Sequence, residues 1–264
     1  MKPPVLILHA PGTNRDREAA WACTAAGGDP RIARVDELLD GDLALDDFAM
    51  LVLPGGFSYG DDLGAGRVWS SALRAGLGDQ LLRYVEDGRP VLGICNGFQA
   101  LVKTGLLPGD QPMTSGSEQR VTLTRNDSAV FECRWVHLKA NAASPCVFTQ
   151  GMGETLIYCP VAHGEGKLMS RDDEVRQAIA DHGLAALRYV DAAGHDVAYP
   201  GNPNGSEGAI AGLTNPAGNV LGLMPHPEDH IVPRQHPQFH RGVRGNLGLV
   251  LFENGVRYAA ESRG

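Results

Sequence analysis

Three short apolar runs in the first hundred residues constrain the fold most. "PVLILHA" (4–10), "FAMLVLPGG" (48–56) and "RPVLGIC" (89–95) are apolar at successive positions rather than at alternate ones. A strand that is apolar on both faces belongs inside a parallel sheet covered by helices. The intervening stretches read as helices. Residues 14–27 offer Asn14 as an N-cap and Gly27-Gly28 as a stop. Residues 68–87 carry Val68, Leu73, Leu77, Leu81, Leu82 and Val85 at helical spacing and close at Gly88. "RIARVDEL" (31–38) alternates and is expected to be a second strand, and residues 96–104 begin another helix. This alternation predicts an α/β fold: an open, mostly parallel sheet with helices on both faces.

After about residue 108 the pattern changes. "RVTLTRN" (120–126), "FECRWVHL" (131–138), "TLIYCPVAHG" (155–164), "LAALRYVD" (184–191), "AIAGLTN" (209–215) and "NVLGLMPH" (219–226) are short and alternating. They predict additional antiparallel strands that complete or flank the sheet, with a closing helix around 245–260. No linker, repeat or low-complexity tract interrupts the chain, so a single domain over 1–264 is expected.

At 264 residues the chain can bury a substantial core. Its net charge of -8, without a dense Lys/Arg stripe, argues against a nucleic-acid surface. No apolar run is long enough for a membrane span, and the run after Pro3-Pro4 is too short for a signal peptide. A cytoplasmic location is expected. The five cysteines are odd in number and lack a C-x-x-C pair, so neither a disulfide framework nor a zinc ribbon is indicated.

One cysteine is placed unlike the others. Cys95 ends a buried strand and starts a helix, between Gly93 and Gly97. That is the geometry of a nucleophile elbow. The turn pushes the side chain out over the sheet edge, and the helix N-terminus favours a thiolate. It also leaves the Asn96 N–H free for a developing oxyanion. On this reading Asn96 matters mainly for its backbone, and its side chain should tolerate substitution better than Cys95 does. A thiolate needs a general acid/base. "MPHPED" (224–229) supplies His226 and, two residues on, Glu228. In an extended segment both project from one side, so the carboxylate can orient the ring.

His226, His230, His236 and His240 fall within 15 residues, but Pro227, Pro233 and Pro237 break any helix that could align them. A solvated or interface loop is expected there rather than a metal site. "PGGFSYGDDLGAG" (54–66) puts Gly55-Gly56 at a strand end, where a backbone N–H can turn toward the site. It lacks the Lys-Ser/Thr ending of a phosphate loop. Asp61 and Asp62 read as loop-structuring carboxylates.

Taken together, these motifs resemble the class I, triad-type glutamine amidotransferases. The strings "PGGFSYGDDLGAGR", "GICNGFQALVKTGLLPG", "VAHGEGK" and "YPGNPNGSEGAIAGLTNPAGNVLGLMPHPE" are similar to the family of glutaminase subunits of phosphoribosylformylglycinamidine synthase, over roughly residues 4–229. The resemblance implies a Cys95, His226, Glu228 triad. It implies oxyanion donors at the backbone of Gly56, with Phe57 a second possibility, and of Asn96. It implies that Gln99, His163 and Gly164 hold L-glutamine. The partner it implies is a synthetase subunit, with or without a small bridging subunit. ATP and Mg²⁺ are expected in that synthetase, with no cofactor and no metal in this chain. Asn202 to Ser206 is a family signature to which the sequence assigns no role. Family members often carry Arg after His-Pro-Glu; Asp229 stands here, so a basic interface contact is either missing or supplied by Arg234.

Three other readings compete with this one. A cysteine hydrolase resembling the DJ-1/PfpI group would carry its His close to the Cys, and no His lies within thirty residues of Cys95. A non-catalytic binding module would not need an intact Cys/His/Glu set. An amidotransferase serving another acceptor would share the same triad.

Overall fold

The computed structural model describes residues 2–110 and 119–262. The first half follows the predicted alternation: β1 (Pro4–His9), α1 (Asp16–Ala25), β2 (Asp29–Arg34), α2 (Val35–Leu39), β3 (Met50–Leu53), α3 (Arg67–Glu86), β4 (Val91–Ile94) and α4 (Asn96–Thr104). The second half supplies β5 (Val121–Thr124), β6 (Glu132–Ala140), β7 (Leu156–His163), β8 (Lys167–Ser170), α5 (Asp173–Asp181), β9 (Ala185–Val190), β10 (Ile210–Thr214), β11 (Val220–Leu223) and α6 (Leu249–Glu261).

Nine strands form one sheet in the order β2-β1-β3-β4-β11-β10-β9-β6-β7, and β5 pairs with β8 in a separate ribbon. From β2 to β11 the pairings are parallel; from β11 to β7 they are antiparallel. The chain steps from β1 to β2 in one direction and from β3 to β4 in the other. Right-handed crossovers therefore put α1 and α3 on opposite faces. α6 packs with α1, and α4 packs with α3. The α/β class, the parallel sheet and the flanking antiparallel strands are as expected.

Four details differ from the sequence reading. Asn14 does not cap α1: Arg15 occupies that position without a side-chain cap, and the Asn14 and Arg15 N–H groups both donate to the Gly55 carbonyl. The 31–38 strand ends at Arg34, where the Glu37 carboxylate accepts from the Arg34 N–H and starts α2. β8 and α5 were not anticipated. The fourth difference matters most: β11 is parallel to β4, with Leu223 opposite Ile94. All four β11 residues are buried, as a central parallel strand requires.

This order decides where the chemistry can be. β3, β4 and β11 are neighbours and end at one edge of the sheet. The residues that follow them are Gly55-Gly56, Cys95 and the segment through His226. Ligands of open α/β sheets bind at the carboxyl ends of strands, near the point where strand order reverses. Here the reversal lies between β1 and β3, and Thr13 after β1 bridges to Gly56 after β3.

Candidate active site

Cys95 has φ +50° and ψ −104°, a conformation that non-glycine residues rarely adopt. Such strain persists only where the surroundings enforce it. The Cys95 N–H is held by the Leu223 carbonyl at 2.7 Å, and its carbonyl accepts from the Gln99 N–H. Close packing closes the turn. A Cβ on Gly97 would lie 2.0 Å from the Leu53 carbonyl oxygen, and one on Gly93 would lie 2.9 Å from the Gly97 backbone. Helix and strand thus approach to a distance that only glycine permits. The thiol is 5% exposed and donates weakly to the Ala162 carbonyl, 3.7 Å away.

His226 and Glu228 are brought to this thiol by β11. The His226 Nδ1–Glu228 Oε1 distance is 2.7 Å, and both side chains are almost wholly buried. Burial alone would push the His226 pKa down. The Glu228 carboxylate and the Cys95 sulfur outweigh it and hold the ring well above the usual histidine range. Among the described residues, Nε2, the nitrogen that Glu228 leaves over, has no nitrogen or oxygen partner, and the ring interacts with the Cys95 sulfur instead. Gly55 makes room for the ring: a Cβ there would lie 2.6 Å from His226 Cε1 and 3.5 Å from Cys95 Cβ. Asp229, next in sequence, is pushed up to about 6 by burial and by Glu228, with Arg15 at 3.7 Å.

Among the described residues, His226, Glu228 and Asp229 are the only acid/histidine group close enough to share a metal ion. A metal there would have to displace the 2.7 Å hydrogen bond between His226 and Glu228. The other histidines diverge. His230 and His236 meet edge to face and pack on Trp135 and Tyr158, while His240 packs on Phe239. They tie residues 230–240 to the sheet edge.

A pocket of about 220 Å³ opens beside Cys95, lined by Gly56, Phe57, Gln99, His163, Gly164 and Glu165 among others. Of the expected residues, Cys95, Gly56, Phe57, Gln99, His163 and Gly164 line this pocket, and two of the expected roles need revision. The Phe57 N–H donates to the Gly12 carbonyl at 3.0 Å, so it is not free for an oxyanion, and the Gly56 N–H is left as the candidate donor on this loop. Its backbone sits where a Cβ would lie 2.7 Å from Thr13 Cα. Asn96 is also more than a backbone donor. Its N–H, as the first of α4, precedes the helical ladder. Its side chain, 1% exposed, accepts from the Ser58 N–H and donates to Asp61 Oδ1 and Gln99 Oε1. It thereby fastens the Gly-Gly loop to the elbow helix.

Gln99 completes the connection by donating to the Glu165 carbonyl at 2.6 Å. His163 is buried against Asn126, and its pKa is lowered to about 4 by burial, then by His226. It is therefore a neutral wall of the pocket. Asn126 was not singled out in the sequence. It receives the Gly166 N–H and donates to the His163 carbonyl. Its only sequence signal is an Asn at the end of a predicted strand.

A family model for the CobB/CobQ-like glutamine amidotransferase domain matches residues 2–259. The phosphoribosylformylglycinamidine synthase subunit PurQ of Dehalococcoides mccartyi is 44% identical, with 97% of each chain covered. The same subunit of Treponema denticola is 40% identical, covering 98% of this chain and 99% of its own. Among solved structures, the PurLQS assembly of Thermotoga maritima contains a chain that superposes with a TM-score of 0.73 at 33% identity, over 98% of this chain and 99% of that one.

Proposed function

The chain belongs to the CobB/CobQ-like glutamine amidotransferases, and from that premise we propose that it is the glutaminase subunit of a phosphoribosylformylglycinamidine synthase. The observation that carries this is a strained elbow cysteine beside a buried histidine–carboxylate pair, at the mouth of a pocket sized for one amino acid.

In this reading the Cys95 sulfur attacks the side-chain carboxamide carbon of L-glutamine. The oxyanion accepts from the Gly56 and Asn96 N–H groups. His226, oriented by Glu228, gives its proton to the departing ammonia, leaving a γ-glutamyl thioester on Cys95. His226 then takes a proton from water, which attacks the thioester and releases glutamate. His226 is suited to the first transfer because Glu228 and the sulfur favour its protonated form. Gln99, His163 and Gly164 shape the glutamine pocket, Gln99 by holding the Glu165 backbone as much as by contact.

Ammonia passes to a synthetase subunit, which amidates formylglycinamide ribonucleotide. ATP and Mg²⁺ belong to that subunit, and a small third subunit can bridge the two. The name of the Thermotoga maritima assembly, PurLQS, supports such partners. We read residues 1–264 as one amidotransferase domain working in the cytoplasm. No helix of the described residues is long and apolar enough to cross a membrane.

The test is co-purification with the synthetase, followed by glutamine-dependent amidation of formylglycinamide ribonucleotide. Amidation is the expected result. Glutamine hydrolysis without amidation of this acceptor would reassign the subunit to another synthetase.

A further inference from the structure

The Asn202–Ser206 signature does not line the pocket beside Cys95, yet it is among the most buried polar stretches of the described residues. Asn202 is 9% exposed, Ser206 4% and Asn204 0%. Burying that much hydrogen-bonding capacity is costly unless every group is used. Here the bonds lead toward the glutamine pocket. Ser206 Oγ accepts from the Leu168 N–H at 3.0 Å and lies 2.7 Å from Asn204 Oδ1 and 3.3 Å from the Gly166 carbonyl. Asn204 Oδ1 also accepts from the Ser206 N–H, and its Nδ2 donates to the Tyr189 hydroxyl.

The segment also fixes the other side of the same turn. The Asn204 carbonyl accepts from the Asp127 N–H. Gly205, at φ +78°, passes so close to Asp127 that a Cβ would fall 2.0 Å from its carboxylate. The preceding residue, Asn126, accepts from the Gly166 N–H, donates to the His163 carbonyl, and uses its own N–H on the Gly164 carbonyl. The turn from His163 to Gly166 is thus gripped from both sides, and three of its residues, His163, Gly164 and Glu165, line the pocket beside Cys95.

We propose that Asn204 and Ser206, together with Asn126, are positioning residues that preset the backbone of the 163–166 turn for binding glutamine. They touch neither the sulfur nor His226. Their effect should therefore fall on glutamine capture and not on the reactivity of the nucleophile. This rests on the glutaminase reading above.

The test uses the chain assembled with its synthetase. Ser206→Ala leaves the buried Leu168 N–H without an acceptor and frees one side of the turn. It is expected to raise KM for glutamine about tenfold or more, a size consistent with one lost buried hydrogen bond. The value of kcat should change less than threefold, and ammonia-dependent amidation should be unchanged. Inactivation by 6-diazo-5-oxo-L-norleucine should need a correspondingly higher concentration, while alkylation of Cys95 by iodoacetamide keeps its rate. Ser206→Thr retains the hydroxyl and should restore KM. If Ser206→Ala does not yield soluble protein, Asn126→Asp keeps the acceptor, loses the bonds to the His163 and Val130 carbonyls, and carries the same expectations. An unchanged KM, or a parallel loss of the glutamine and ammonia activities, overturns the proposal. Absence of glutamine hydrolysis in the unmodified complex would instead overturn the glutaminase reading.

Discussion

Asn96 illustrates how one residue can carry two duties. Its main chain begins the elbow helix, and its buried amide joins Ser58, Asp61 and Gln99. Asn96→Ala orphans the Ser58 N–H, which should cost about 1–3 kcal/mol of stability and loosen the loop that carries Gly56. A lower Tm together with a severalfold loss in kcat/KM for glutamine is expected; a variant matching the parent in both would show that the backbone alone matters. Asp229 gives a pH signature. Its carboxyl titrates near 3.8 when unfolded and near 6 when folded, raised by burial and by Glu228. Above about pH 6 the folded protein bears the cost of that buried charge. As pH falls from 6 toward 4, the folded state takes up the proton first, and the cost disappears. Asp229→Asn should therefore raise Tm at pH 8, and the gain should shrink as pH falls below 6 and vanish below the unfolded value of 3.8. A gain that does not vary with pH would contradict this assignment.

At the scale of elements, the elbow depends on the contact between β4 and α4. Gly97→Ala would drive a methyl into the Leu53 carbonyl, 2.0 Å from where it must sit. Because that obstacle is backbone, destabilisation of about 1–3 kcal/mol or more is expected, with loss of glutaminase activity even though all three triad residues remain. Denaturant unfolding would measure it, and an unchanged midpoint would refute the close approach. The same elements show what could be read from sequence. β1, β3, β4, α3 and α4 were legible because continuous apolar runs and helical spacing are local properties. So was Cys95 at the hinge. The parallel pairing of β11 was not, because a four-residue run does not encode its neighbour, although its unbroken "VLGL" was a sign of a central strand. α5 was missed despite a local signature: Asp172 caps it through the Val175 N–H, and Val175 and Ile179 lie one turn apart on its buried side. The engagement of the Phe57 N–H and the side-chain role of Asn96 depend on loops that meet only in three dimensions.

At the scale of the molecule, strand order assembles the proposed triad. β11 inserts beside β4 after an excursion of more than a hundred residues, and this places His226 next to Cys95. The antiparallel half then closes the site from the other side, with the His226 N–H held by the Pro160 carbonyl and the thiol facing Ala162. Phe57 and Phe131 stack at 6.3 Å on the rim of the pocket, and both are about half exposed. The central claim is that Cys95 generates ammonia for use elsewhere, and one comparison tests it directly. Cys95→Ala, assembled with the synthetase, is assayed for amidation of formylglycinamide ribonucleotide with glutamine and, separately, with ammonium salt. The account predicts that glutamine-dependent amidation is abolished while ammonia-dependent amidation persists at the parent rate. Retention of glutamine-dependent amidation by Cys95→Ala would contradict it.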